Sequence, residues 1–172
     1  MPRKKGTPEE APLKLFYIFY SRERMENWIR TLEESSFTAD PSSDEPPEGL
    51  LTLSRFAEDI TIEVLKILKL FQNGRFTKEE SLQRMREVEA IVMSGVRDGE
   101  VGDVLESLQL SLLVLFSACR RFVDGGYEKD VKTLVKRARG IPEGDMEKAL
   151  EVAGEIGAAV IGGSPCCEKF MA

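Results

Sequence analysis

The chain has 172 residues, 42% apolar and 31% charged, proportions of a globular protein that exclude a collagen-like, mucin-like or disulfide-stapled scaffold. Its formal charge is −6, from 24 bases against 30 acids, and it contains no histidine, which removes the usual general base and the commonest metal ligand at neutral pH. Six acids fall between Glu33 and Glu48 with no base among them, so the rest of the sequence is neutral and carries no net repulsion for an anionic partner.

One domain of this length buries enough surface to fold without a metal or covalent staple. Three cysteines, two of them adjacent, do not make a disulfide framework, and a reducing compartment is the simpler expectation. Residues 1–12 are polar, and the longest charge-free apolar segment, Ser107–Cys119, is shorter than the ~20 residues that span a bilayer. A cytoplasmic chain with no membrane partner is expected.

In chain order, residues 1–12 (MPRKKGTPEEAP) read as a flexible tail. Leu13–Tyr20 (LKLFYIFY) has the composition of a strand, but no second strand candidate appears in the sequence, so an extended or helical lead-in covering the core is expected, with strand pairing across a dimer as the alternative. Ser21 is placed to cap a first helix on which Met25, Trp28, Ile29 and Leu32 recur on one face, ending before Ser35. Residues 35–49 are acidic, carry three prolines and lack a period, which predicts a disordered loop.

Leu50–Phe71 is an amphipathic helix. With Glu58 set at zero and 100° per residue, Arg55, Asp59, Glu63, Lys66 and Lys69 occupy about 0–140° and the main apolar set about 160–340°. Ile62 and Leu70 fall within the charged arc, where they lie exposed unless something covers them; they are the candidate partner-binding residues. Asn73-Gly74 ends this helix, and Thr77 with Glu80 forms a capping box for the next, giving an antiparallel hairpin. After the glycines of 95–102, nine of the twelve residues Leu108–Cys119 are apolar, which predicts a central helix surrounded by others. Gly125-Gly126 closes it. A helix over Tyr127–Arg139 and a last one after Pro142 and Asp145 follow, before a flexible tail at 164–172. The expected fold is all-α: an irregular antiparallel bundle of five or six helices in a single domain over 13–163.

Little in this pattern makes or breaks bonds. Asp59 with Glu63, and Glu87 with Glu89, are the nearest approach to a two-helix carboxylate site for magnesium. They share their faces with bases, and a solvated face is expected; the same holds for Glu147, Glu151 and Glu155. Cys166 and Cys167 lack the further ligands that structural zinc needs, and Cys119 reads as a small core residue. No catalytic residue, metal site or cofactor is expected, and the chain is not read as an enzyme.

The one concentrated charge is basic. Arg120–Arg139 holds seven bases against three acids, a local +4, with Arg120, Arg121, Lys129, Lys132, Lys136 and Arg139 as candidate nucleic-acid contacts. The segments YSRERMENWIRTLE (20–33), LSLLVLFSACRRFVDGG (110–126) and ALEVAGEIGAAVIGG (149–163) together resemble an archaeal family, domain of unknown function 2150, over about Phe19–Gly163. The resemblance implies a cytoplasmic helical archaeal protein and carries no activity with it; Cys166 and Cys167 lie beyond it. The expected role is a non-catalytic protein-interaction or scaffold protein, as a homo-oligomer or with another protein. The alternative is an RNA- or ribosome-associated factor using the basic stripe.

Overall fold

The computed structural model of the chain describes residues 20–165. Six helices account for the fold: α1 (Arg22–Glu34), α2 (Glu48–Gln72), α3 (Lys78–Met93), α4 (Gly99–Asp124), α5 (Val131–Arg139) and α6 (Met146–Ile161), with no strand among the described residues. The chain is all-α, as its periodicity predicts. The lead-in Leu13–Phe19, the tail 1–12 and Cys166 and Cys167 lie outside the described residues.

Local chemistry sets the helix ends. Ser21 Oγ accepts from Arg24 N at 3.1 Å. Thr77 Oγ1 accepts from Glu80 N at 3.1 Å while Glu80 Oε2 accepts from Thr77 N at 3.0 Å, completing the predicted capping box. Gly125, at φ 86°, closes α4 in the left-handed region. α5 starts four residues later than its apolar pattern suggests, because Asp130 caps it by accepting from Lys132 N. The acidic stretch where disorder was expected has contacts of its own. Phe37 packs on the core and against Gly49, whose N–H donates to Ser36 O at 2.8 Å, and α2 opens at Glu48, inside that stretch.

Three consecutive pairs double back on one another: Trp28 of α1 meets Asp59 of α2, Gln109 of α4 meets Val92 of α3, and Arg137 of α5 meets Glu155 of α6. α4 and α6, separated by α5, run in the same sense. Gly154 and Gly157 of α6 and its C-cap Gly162 sit against Ser117 and Ala118 of α4 and Tyr127 beyond it, in that order, and the absent side chains of Gly154 and Gly157 let the two helices approach closely. The main core joins Met25, Ile29 and Leu32 to Phe56, Ile60 and Ile67, with Met85, Leu105, Leu112 and Phe116. Each such side chain contributes about 1.5–3 kcal/mol when fully buried.

Two expectations change. α4 is not enclosed all round: Leu112 and Phe116 are buried, but Leu113 and Val114 are half-buried and Leu110 is exposed, because α2, α3 and α6 pack on only part of its circumference and leave this i, i+3, i+4 side open. α4 is also long and apolar enough, by length and composition, to cross a membrane; it packs here against α2, α3 and α6. On α2, the buried arc runs over about 120–280° on the wheel, displaced from the apolar arc because α1 lies over its charged edge. Glu63 is buried as a result, and Leu65 is turned outward.

Candidate functional site

The polar residues that tertiary structure brings together lie first at the α1–α2 contact. Arg24 and Trp28, one turn apart on α1, face Asp59 and Glu63, one turn apart on α2. Arg24 Nε donates to Asp59 Oδ2 at 2.9 Å, a second guanidinium nitrogen pairs with Asp59 Oδ1, and Trp28 Nε1 donates to Asp59 Oδ2 at 2.8 Å. Glu63 accepts from Lys66 at 3.1 and 3.2 Å and lies 3.4 Å from Arg24. The Trp28 ring stacks on Phe56 with centroids 5.5 Å apart, fixing the donor's position. The hydrogen bond to Asp59 and the charges of both acids hold the Arg24 guanidinium more basic than usual, against the opposing effect of burial. The solvated reading of Asp59 and Glu63 is therefore corrected: Asp59 is half-buried and Glu63 is 4% exposed. Their partners are cations and an indole, which leaves no open position for a metal. Two matched i, i+4 pairs, Arg24/Trp28 and Asp59/Glu63, were the signal in the sequence that could have found this contact.

A second ionic knot ties α4, α5 and α6. Glu155 is buried and accepts from Arg137 at 3.3 Å through both carboxylate oxygens, with Arg121 at 3.9 Å. Arg121 Nε also donates to Ser117 Oγ at 3.3 Å. The stripe reading of Glu147, Glu151 and Glu155 is thereby corrected for Glu155, while Glu147 and Glu151 remain exposed. Arg120 pairs with Glu89 of α3, so Glu89 is likewise drawn into an internal pair, and Glu87 accepts from Arg84 and Gln83 on its own helix. Among the described residues no group of three or more Cys, Asp and Glu could hold a metal ion. Cys119 is a core residue, as expected, its thiol pushed up to about 12 by burial.

The predicted basic stripe divides. Arg120 and Arg121 are half-buried and engaged with Glu89 and Glu155, so they do not belong to it. Lys132, Lys136 and Arg139 are exposed on α5 at i, i+4, i+7, and Lys129 is exposed just before the helix. Of the two apolar candidates on α2, Ile62 is 61% exposed. Leu70 is half-buried against the core, where the α2–α3 turn folds back and its carbonyl accepts from Arg75 N and Phe76 N. Leu70 is therefore a packing residue. Leu65, 44% exposed, is an outward neighbour of Ile62, and Leu51, 42% exposed, lies on the same side of α2 three turns away; both are within about 60° of Ile62 on the wheel.

The described surface also carries two open clefts. One, of about 350 Å³, lies between the α5–α6 connection and α6 and is lined by Ile141, Pro142, Met146, Ala149 and Ile156 with Asp145 at its edge. The other, of about 380 Å³, runs along α3 beside Phe76, Glu79, Gln83 and Glu87. Neither collects buried polar groups that converge on a reacting atom.

These features define an all-helical bundle whose interior acids are closed by cations and whose apolar excess faces outward. The chain belongs to the archaeal family described as "Uncharacterized protein conserved in archaea (DUF2150)", which matches residues 18–172. The match runs past Gly163, where the resemblance read from the sequence stopped, and so takes in Cys166 and Cys167. No curated protein and no solved structure matches the chain.

Proposed function

We propose that this chain is a cytoplasmic, non-catalytic interaction protein that docks an apolar helix of another protein on the outer stripe of α2. One observation carries the reading: Ile62 and Leu65 are exposed side by side on the outward face of α2, with Leu51 exposed on the same side three turns away beyond Ser54, Arg55 and Glu58, while the neighbouring acids Asp59 and Glu63 are spent on internal pairs. Arg55 and Lys69, both exposed, border the stripe and suit a partner helix whose apolar face is flanked by acids. Glu58 is the exposed acid on the same arc and would favour one orientation of that helix over the other.

The test is a solution mass measurement followed by capture of partners from the native cell and reconstitution with the purified partner. Ile62→Asp and Leu65→Lys should each weaken binding at least tenfold, about 1.4 kcal/mol, without changing the helical circular dichroism. A strict monomer whose partners survive both substitutions refutes the reading.

A second reading has its own support. Lys132, Lys136 and Arg139 are exposed with no carboxylate partner among the described residues, a short cationic row suited to a phosphate backbone. If RNA is the ligand, charge reversal at these three residues abolishes co-sedimentation with RNA and flattens its salt dependence. Equal co-sedimentation of parent and variant removes this reading.

A further inference from the structure

α6 lies between α4 and α5 and presents two further sides. Its row Glu147, Glu151, Glu155 recurs at i, i+4, i+8, and the last member meets Arg121 of α4 and Arg137 of α5. Its row Met146, Ala149, Ala153, Ile156, Val160 advances by three and four residues in turn, the spacing of a helix–helix seam. At about 100° per residue the centres of the two rows are about 180° apart. The layer formed by α4, α5 and α6 therefore has an acid side and a seam side that face opposite ways.

The acid side is also apolar. On α4 the row that leads to Arg121 passes back through Ser117 and Val114 to Leu110, again by steps of four and three. Leu110 is 49% exposed, and Leu113 beside it is half-buried. Glu106, one turn before Leu110, is exposed, as are Glu147 and Glu151 on α6. Lys148, the base of that turn of α6, pairs with Asp145.

The seam side carries the opposite charge. Met146 is 66% exposed and Val160 is exposed; between them Ala149, Ala153 and Ile156 line the cleft walled by Ala138, Ile141 and Pro142. On α5, Val131 and Leu134 face α6. Arg137 lies about 90° to one side of them and reaches Glu155, while Lys132, Lys136 and Arg139 lie about 110–170° to the other, toward the seam side and solvent. These three are exposed with no carboxylate partner among the described residues. Glu143 is the exposed acid among the residues that line the cleft.

We propose that copies of this chain associate head to tail, Leu110 and Leu113 on the acid side of one packing on the α6 seam of the next, with Glu106 and Glu151 facing Lys132 and Arg139. One chain holds both complements, which points to a second copy as the occupant. Seam on seam is disfavoured, because it sets the two basic rows against each other. Since the two sides face opposite ways, each contact leaves a free acid side and a free seam, and association continues into a ring or an open chain. α6 has 16 residues and is about 24 Å long. With helix axes about 8–10 Å apart, the seam side offers on the order of 400–500 Å² per copy, at the low end for a specific interface. The contact is therefore weak, reversible and salt-sensitive. It uses neither α2 nor its outer stripe, so its success or failure is separate from the docking reading above.

The test is sedimentation equilibrium of the nuclease-treated full chain at concentrations up to about 1 mM. The average mass of the parent should climb past that of a dimer and fall back in about 1 M salt. A Lys132→Glu, Arg139→Glu variant and a Glu106→Lys, Glu151→Lys variant should each associate roughly tenfold more weakly or less, with unchanged helical circular dichroism. An equal mixture of the two should regain association, because each keeps the side that the other has lost. A parent that stays monomeric overturns the proposal; if it associates only before nuclease treatment, RNA is the bridge. A closed dimer overturns it, as does association that either variant retains in full. A mixture that stays monomeric although both variants are folded overturns it as well.

Discussion

Gly154→Ala asks the α4–α6 contact to admit one methyl group. A Cβ at that position lies 2.1 Å from Ser117 Oγ and 2.9 Å from Ser117 Cβ, where carbon atoms settle at about 3.5–4.0 Å. Ser117 can rotate its oxygen aside, but its Cβ belongs to the helix, so the helices must part by on the order of 0.5–1 Å to restore ordinary contact. That movement also slackens Arg121, which donates to Ser117 and faces Glu155. Overpacking of this kind costs about 1–3 kcal/mol, and the better helix propensity of alanine returns about 1 kcal/mol. The net loss should be about 0–2 kcal/mol, which for a chain of this size lowers Tm by up to roughly 8 °C. Urea unfolding followed by Trp28 fluorescence and by circular dichroism measures it, with coincident transitions and an unchanged slope licensing the comparison. Gly140→Ala is the control: its nearest neighbour is Arg137 O at 3.5 Å and its backbone is right-handed helical, so it should be neutral or stabilising by up to about 1 kcal/mol. Ser117→Gly combined with Gly154→Ala should recover part of the loss, a favourable coupling between the sites. A Gly154→Ala protein stabilised as much as Gly140→Ala would refute the close-approach argument.

Arg24→Met removes the cation shared by Asp59 and Glu63. Breaking a fully buried pair costs about 3–5 kcal/mol, but Arg24 is 39% exposed and Lys66 remains on Glu63, so thermal denaturation should register a smaller loss of about 1–3 kcal/mol; Trp28→Phe, which removes one hydrogen bond and keeps a stacking ring, should lose about 1 kcal/mol. Cys119 should be inert in the native state. With its thiol at about 12 against an ordinary 9.0, the thiolate is about a thousandfold scarcer near pH 8, and in a Cys166→Ser, Cys167→Ser protein a maleimide should label Cys119 only on unfolding. Tyr20 sets an alkaline limit. Its folded pKa is raised above the unfolded value of 10.0, so its contribution to stability is complete below pH 10 and declines as pH rises above it. Tyr20→Phe should make the alkaline loss of stability shallower, as read from urea midpoints between pH 8 and 11.

Much of the architecture was written in local pattern. The caps at Ser21 and Thr77, the stops at Asn73-Gly74 and Gly125, and the 3.6-residue spacing of Met25, Ile29 and Leu32 depend only on neighbours within a turn or two, so they can be read without knowing what packs against what. The lack of histidine and of a metal-ligand spacing likewise follows from the residues alone.

Which face of α2 is covered was not local information. α1 crosses over the edge that carries Asp59 and Glu63, and a guanidinium and an indole then compensate their burial, so charged residues entered the interior and Leu65 was left outside. The same holds for Arg120 and Arg121, basic in sequence but neutralised by Glu89 and Glu155 from distant helices, and for Leu70, covered by the turn that follows its helix. Composition and periodicity determined that this chain folds as a helical bundle with surplus apolar side chains. Tertiary contact decided which charges are spent inside and which apolar residues remain at the surface, because a side chain's exposure depends on elements far from it in sequence.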